Sequence, residues 1–470
     1  MEKTKQTKKI SSSFIYFFGA FGGILFGYDI GVMTGALPFL QRDWHLTGDA
    51  SIIGWITSSV MLGAIFGGAL AGVLSDRLGR RKMILISALI FMIGSILSGL
   101  SPNNGQIYLI VVRTFLGLAV GAASALVPAY MSEMSPAHLR GRLSGINQVM
   151  IVSGMLLSYI MDYLLKGLPH MIAWRLMLAL AAVPALILFI GVLALPESPR
   201  FLAKSNRLAE AKQVLSFIRK PEEVAGELEQ ILTTTKREEK ALKTTSWSTL
   251  LDSRYRPLVI AGIGVAAFQQ FQGANAIFYY IPLIVEKATG HAASEALMWP
   301  IIQGIILVIG ALFFLVIADK FDRRTLLMLG GTMMGLSFIL PTILNAFVKT
   351  HPMVIVVFLC VYVAFYSFTW APLTWVLVGE IFPLAIRGRA SGLASSFNWI
   401  GSFLVGLLFP IMTASMPQEM VFAIFGIICL LGVAFIRFCV PETRGRSLEE
   451  IEQEAAGKLK VSELDTDYDA

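Results

Sequence analysis

Twelve stretches of about twenty mainly apolar residues recur along this 470-residue chain. They run roughly over 14–40, 52–74, 83–101, 107–131, 143–165 and 172–195, then 257–286, 296–318, 325–348, 352–381, 390–413 and 419–440. Each can cross about 30 Å of hydrocarbon as a helix. Lipid offers no partner to backbone N–H and C=O groups, so helices are the form such runs take. Composition agrees: 56% of residues are apolar, 15% are charged and mean hydropathy is +0.70, whereas soluble domains carry about a quarter charged residues. The expected fold is an all-α membrane protein of twelve transmembrane helices, six on each side of a polar stretch.

The net charge of +7 is placed as a topology signal. Lys3, Lys5, Lys8 and Lys9 precede the first run, and Arg77, Arg80, Arg81 and Lys82 follow the second. Arg140 and Arg142, then Lys320, Arg323 and Arg324, then Arg387 and Arg389 occupy the other even-numbered connections. The odd-numbered ones hold little beyond Arg42, Lys166, Lys287 and Lys349. By the positive-inside rule both termini are expected in the cytoplasm, with the chain multi-pass in the cell membrane and the bilayer as its partner. No nucleic-acid site is implied. The first run is too long for a cleaved leader and carries Asp29. Cys360, Cys429 and Cys439 fit no disulfide or metal pattern, and the five histidines lack ligand spacing, so no metal is expected. No Gly-x-x-x-x-Gly-Lys loop is present and no catalytic machinery stands out, which points to a non-enzyme without a cofactor.

Three motifs occur twice. Asp76-Arg-Leu-Gly-Arg-Arg81 returns as Asp319-Lys-Phe-Asp-Arg-Arg324. Glu133 with Arg140 and Arg142 returns as Glu380 with Arg387 and Arg389. Pro196-Glu-Ser-Pro-Arg200 returns as Pro441-Glu-Thr-Arg-Gly-Arg446. The spacings of 243, 247 and 245 residues describe a duplicated half-chain. In membrane proteins, like halves suggest a site between them and rocking of one half against the other. The expected divisions are 1–199, a six-helix half; 200–256; 257–446, the second half; and 447–470, a short tail. Residues 200–256 mix both charge signs, with Leu208, Ala211, Val214, Leu215 and Ile218 at helical spacing. They read either as a linker of amphipathic helices or as a latch on the basic loops.

Charged groups inside a bilayer are costly and mark function. Asp29 and Arg113 are the two deep charges recognised in the first half. They form either a static pair or a proton-exchanging carboxyl tuned by its arginine, since desolvation and a neighbouring cation act on a carboxyl in opposite directions. The seventh run contains Gln269, Gln270, Gln272, Asn275 and Tyr279. On an ideal helix Gln269, Gln272, Asn275 and Tyr279 share an arc of about 120°, with Gln270 outside it unless the helix loosens near Gly273. Amides both donate and accept, which suits a neutral, hydroxyl-rich ligand; hydrogen bonding between helices is the alternative. Gln148, Trp370, Trp375, Asn398 and Trp399 add polar and indole groups in other runs.

Taken in order, Phe26-Gly-Tyr-Asp29, Asp76-Arg-Leu-Gly-Arg-Arg81, Arg140-Gly-Arg142, Pro196-Glu-Ser-Pro-Arg200, Gln269-Gln-Phe-Gln-Gly-Ala-Asn275, Gly379-Glu-Ile-Phe-Pro383 and Pro441-Glu-Thr-Arg-Gly-Arg446 resemble the sugar porter family of the major facilitator superfamily, from about residue 12 to about 455. Within it the chain is most similar to bacterial monosaccharide–proton symporters for pentoses, hexoses or inositol. The resemblance implies a monomeric importer of a monosaccharide with a proton as the coupling ion. It implies that Gln148, Gln269, Gln270, Asn275, Trp375 and Asn398 hold sugar hydroxyls, with Phe26, Ile151, Tyr279 and Tyr366 lining the cavity. It implies that Asp29 and Arg113 couple the proton, and that 200–256 is an intracellular helical domain. It further implies a cytoplasmic gate of Asp76, Arg80, Arg81, Glu133, Arg140, Arg142 and Glu197, with Asp319, Arg323, Arg324, Glu380, Arg387, Arg389 and Glu442. Asp322 stands where the loop motif prefers glycine, so that turn is expected to differ. Ala181 and Leu307 replace polar groups of some relatives. A facilitative uniporter, a sugar sensor and a drug–proton antiporter are the rival readings. The short tail argues against the sensor, and the lack of a Gly-Pro signature in 145–154 argues against the antiporter.

Overall fold

The computed structural model describes residues 11–136, 140–244, 246–290, 292, 295–318, 320–347, 353–383, 385–446 and 450–451, without the side chains of 140–144 and 238–244. Asp319, the side chains of Arg140 and Arg142, and nearly all of the tail lie outside these residues.

The described residues form helices and turns, with no strand among them. In the first half α1 is Ser12–Asp43, α2 Ala50–Leu78, α3 Arg80–Gly99, α4 Gln106–Met134, α5 Arg140–Leu165, α6 His170–Leu180 and α7 Ala182–Leu193. The middle holds α8 Pro199–Lys204, α9 Leu208–Ile218 and α10 Pro221–Thr244. The second half holds α11 Arg256–Phe271, α12 Ala274–Thr289, α13 Met298–Ile317, α14 Arg323–Phe347, α15 Met353–Phe368, α16 Trp370–Ile381, α17 Arg387–Ser415 and α18 Gln418–Cys439. Among the described residues, eleven helical stretches are long and apolar enough to cross a membrane, counting α6–α7 and α15–α16 as one stretch each.

The seventh expected run is not among the eleven, because it is broken. Gly273 takes φ +92°, a left-handed conformation that costs glycine nothing, and separates α11 from α12 at sixteen residues each. The breaks at Ala181 and Thr369 follow from prolines: Pro184 and Pro372 have no N–H to offer the carbonyls of Leu180 and Phe368.

α1 packs along α5 through Gly23, Gly27, Gly31 and Gly35, one glycine per turn. A Cβ on Gly27 would sit 1.7 Å from the Ile151 carbonyl oxygen, so the two backbones touch. Small residues allow such approach where lipid removes the hydrophobic driving force.

The halves meet through α2 with α17, α5 with α13, and α1 with α12. Their cross-bonds lie toward one end of the bundle. Thr34 donates to the Phe278 carbonyl at 2.6 Å, which Pro282 leaves without its usual helical N–H. Pro410 likewise leaves the Gly406 carbonyl free to accept from the Tyr280 hydroxyl at 2.9 Å, and that hydroxyl also meets Thr57 at 2.5 Å. Gly54 lies against the backbone of Leu407, where a Cβ would fall 2.4 Å from its carbonyl oxygen. The duplicated charged motifs lie at the other end.

The middle segment has the amphipathic form expected from its pattern: Ala211, Val214 and Leu215 are the buried face of α9. Arg207 clamps both carboxylate oxygens of exposed Glu210 at 2.7 and 2.5 Å, which lowers that carboxyl's pKa. The segment touches both halves. Arg219 donates to the Met134 carbonyl at 3.0 Å and Lys204 pairs with Asp76 at 3.4 Å, while the Arg389 guanidinium lies 5.9 Å from the Trp247 ring.

Candidate functional site

Asp29 and Arg113 meet in the interior of the first half, each 1% exposed. α1 runs unbroken past Asp29, and α4 presents Arg113 opposite it. Two N–H groups face two carboxylate oxygens, at 3.5 and 3.4 Å. Bidentate arginine–carboxylate pairs usually close to about 2.7–2.9 Å, so this pair is held loosely. The Arg113 Nε has no hydrogen-bond partner. Buried charge is tolerable only in company, and removing one partner of such a pair costs about 3–5 kcal/mol. The phenol of Tyr279, on α12, lies within electrostatic range of both groups.

Across from it, amides from three helices interlock. Gln269 donates to the carbonyls of Trp370 and Ala371, both at 3.0 Å, at the break that opens α16. Asn398 on α17 donates to Gln269 Oε1 at 2.7 Å and to the Ala266 carbonyl at 2.8 Å. Gln270 reaches Asn398 Oδ1 at 3.4 Å, and Asn275 reaches Gln270 Oε1 at 3.1 Å. Asn275 also donates to the hydroxyl of Ser402, one turn along α17 from Asn398.

The arc expected from an ideal helix does not survive. The turn at Gly273 brings Gln270 into the cluster and sends Gln272 away. Gln272 is fully buried, and its amide lies where a Cβ on Gly432 would be 2.7 Å from its nitrogen. Both of its amide atoms lack partners, while its backbone carbonyl accepts from the Tyr362 hydroxyl at 3.0 Å. Periodicity alone could not show this, because it assumes an unbroken helix.

The remaining candidates come from α1, α5, α15 and α16. Phe26 meets Trp399 edge-on, with ring centroids 5.4 Å apart. Tyr366 packs on Phe278 at 5.6 Å. Gln148 and Ile151 are half-buried on α5. Trp375 is 41% exposed, unlike Trp370, whose buried indole donates to the Leu327 carbonyl at 2.9 Å. Leu307 and Ala181 are both buried. The sequence reading missed Ser402, whose signal is its spacing of four from Asn398. It also missed Asp162, a carboxylate near the end of an apolar run and 1% exposed.

At the charged end the two copies of the repeat fold alike. In the first, Arg80 pairs with Glu133 at 3.1 Å and Asp76 at 2.9 Å. Glu197 accepts from the backbone N–H groups of Arg80 and Arg81 at 2.9 and 3.1 Å, and the Ser198 hydroxyl donates to Glu133. In the second, Arg323 pairs with Glu380 at 3.3 Å, Glu442 accepts from the N–H groups of Arg323 and Arg324 at 3.1 and 3.0 Å, and Thr443 donates to Glu380 at 2.6 Å. Carboxylates at the starts of α3 and α14 complement the helix dipole. Arg81 and Arg324 each reach a carbonyl at the end of a neighbouring helix, that of Leu193 at 2.6 Å and that of Arg437 at 2.7 Å. Arg387 donates to the Phe382 carbonyl at 3.0 Å. The turns do differ: Gly79 takes φ +95°, and Asp322 is not among the described residues of positive φ but pairs with Arg444 at 3.2 Å. Each of these ion pairs lies within one half.

The family model described as Sugar (and other) transporter matches residues 15–455. The chain belongs to the sugar porter family of the major facilitator superfamily. This sugar porter is 43% identical over 466 residues to the D-xylose transporter of Levilactobacillus brevis, covering 98% of this chain and 99% of that one. It is 34% identical to the galactose-proton symporter of Escherichia coli strain K12, covering 98% of both. Among solved structures, the inward open conformation of the xylose transporter XylE from E. coli superposes with a TM-score of 0.80 at 30% identity, covering 94% of this chain and 99% of that one. These relatives are transporters rather than enzymes.

Proposed function

We propose that this sugar porter imports a monosaccharide, pentose or hexose, together with a proton by alternating access in the cell membrane. The observation that carries the reading is the arrangement around Tyr279: a buried carboxylate–arginine pair on one side of the interface and an amide cluster on the other. The amides present donors and acceptors suited to hydroxyls, and the relatives named for xylose and galactose fit that chemistry. Gln148, Gln269, Gln270, Asn275, Trp375 and Asn398 hold the sugar, with Phe26, Ile151, Tyr279 and Tyr366 around it.

In this reading α11 and α12 together form the seventh of twelve spans. Broken helices occur at membrane depth where they line a site. Residues 200–256 form a cytoplasmic domain between halves 1–199 and 257–446, and both termini are cytoplasmic. The clasp of Thr34, Thr57 and Tyr280 closes the extracellular end, and the duplicated motifs form the cytoplasmic gate. The protein works as a monomer.

Protonation of Asp29 removes the charge that holds Arg113 and lets the halves rock, while sugar favours closure around itself. A ligand shifts such an equilibrium only through its difference in affinity for the two states. In proteoliposomes, Asp29→Asn abolishes sugar accumulation driven by an imposed pH gradient and leaves sugar counterflow running. Undiminished accumulation in that variant overturns proton coupling at Asp29, and an unmodified protein that fails to accumulate sugar under the gradient is a uniporter.

A further inference from the structure

One buried carboxylate has no place in the site described so far. Asp162 lies on α5, three residues before the last helical position of that run, and is 1% exposed. Neither of its oxygens has a hydrogen bond of normal geometry, and the backbone N–H of Gly35 is the polar group that leans toward it. A bare carboxylate in such a place is costly, whereas a neutral acid is tolerable. Its position is built rather than incidental: a Cβ on Gly35 of α1 would fall 2.2 Å from Asp162 Oδ2, so the α1–α5 seam leaves room for this side chain only because residue 35 is glycine.

The cations nearby in the fold are otherwise engaged. Just past α5, the Lys166 ammonium sits 3.8 Å above the Tyr163 ring. On α6, Arg175 pairs with Asp43 of α1 at 3.0 Å, and His170 packs against Phe39. Glu295, in the turn before α13, is the acid on that side. The groups in electrostatic range of Asp162 are two phenols, Tyr28 of α1 and Tyr159 of α5.

Those phenols lead inward. Tyr159 is 1% exposed, accepts from Gln303 Nε2 of α13 at 3.3 Å and lies beside Thr34. It is in electrostatic range of Tyr279, which is in range of Asp29 and Arg113. The Tyr279 hydroxyl points to the Met61 sulfur at 3.8 Å, a weak acceptor that leaves its lone pairs open. Gly35 lies six residues beyond Asp29 on α1, about 9 Å along the axis. Two buried phenols therefore stand near the two buried carboxyls, Tyr159 on the side of Asp162 and Tyr279 on the side of Asp29. Tyr279 and Gln303 come from the second half, so this grouping forms only when the halves are clasped at this end.

We propose that Asp162 is a second proton-carrying carboxyl of the transport cycle, the outer station through which the coupled proton passes to Asp29 by way of the Tyr159 and Tyr279 hydroxyls. With the extracellular end open, Asp162 takes a proton from outside water. When the clasp forms, its acid O–H gives up that proton, each phenol accepts one proton and releases another, and the Asp29 carboxylate receives one. Asp162 ends as a carboxylate, Asp29 as an acid, and one positive charge has moved inward. This rests on the symport reading above.

Two measurements decide it. In proteoliposomes with an imposed pH gradient and labelled xylose, Asp162→Asn lowers accumulation roughly tenfold, while counterflow at equal pH falls less than about twofold. Accumulation equal to that of the unmodified protein overturns the proposal alone. An unmodified protein that does not accumulate sugar under the gradient overturns the symport reading, and this proposal with it. Independently, the infrared spectrum of the Asp29→Asn protein at neutral pH shows a protonated carboxylic acid C=O band that Asp162→Asn removes. Absence of such a band shows that Asp162 carries no proton and also overturns the proposal.

Discussion

The first helical run of each half differs in kind, although the two stand at matching places in the sequence repeat. α1 is one helix of 32 residues that presents a single carboxylate to a single arginine. Its counterpart is two helices of 16, broken at Gly273, and presents three amides, Gln269, Gln270 and Asn275, which bond with one another and with Asn398 and Ser402 of α17. At the repeat offset of 246, Asp29 corresponds to Asn275. An intact helix can hold one group at fixed depth against one partner. A broken helix turns neighbouring residues toward a common point and frees backbone groups there. The division suggests that the first half handles the proton and the second the sugar.

Three comparisons break or sharpen that contrast, after the abolition of accumulation by Asp29→Asn. Asn275→Ala should raise the sugar concentration for half-maximal counterflow by about tenfold to a hundredfold, the loss of ~1–3 kcal/mol expected when buried partners are left unsatisfied. Its pH-gradient coupling should persist. If Asn275→Ala uncouples, or if Asp29→Asn weakens sugar binding to the same degree, the division of labour is wrong.

The seam that carries Asp29 is the next target. Gly27→Ala places a methyl group against the Ile151 carbonyl and should lower the stability of the protein in detergent by ~1–3 kcal/mol. Gly379→Ala, where a Cβ meets nothing within 4 Å, should leave the thermal midpoint unchanged. A Gly27→Ala protein that melts with the unmodified one removes the case for a rigid α1–α5 unit.

The smallest effect compares the two copies of the charged motif. The side chain of Glu133 is 8% exposed and that of Glu380 35%, with ion-pair distances of 3.1 and 3.3 Å. Glu133→Gln should therefore cost about 1–2 kcal/mol of stability, and Glu380→Gln under ~0.5 kcal/mol because solvent screens it. Equal losses in thermal unfolding would show that the copies remain equivalent despite their burial.

Much of this was legible in the chain. The apolar runs, the placement of lysine and arginine, and the doubled motifs follow from local chemistry, and each needs only a few consecutive residues to be seen. Gln269, Gln270, Asn275 and Asn398 were named from the family resemblance, and the structure brings them together. An ideal helical arc takes in Gln272 and leaves out Gln270 unless the helix loosens near Gly273, and Gly273 is where the helix breaks. Asp162 went unnoticed because it lies near the end of its run, where a charge is unremarkable until α1 is seen to cover it. The tie between Thr34 and the Phe278 carbonyl depends on Pro282 in one half and a hydroxyl in the other, 244 residues apart.

The sequence by itself determined that this chain is a helical membrane protein built as a double, and it named the residue types suited to a proton and a sugar. Solvation decides those features: apolar length, charge placement and the cost of polar groups in lipid act on each segment separately. Only the tertiary structure decided that each half closes its charged motif on itself, that the halves are clasped at the opposite end, and that a second acid, Asp162, is buried in the first half. Those features depend on which backbones can touch, and glycines and prolines far apart in the chain settle that together.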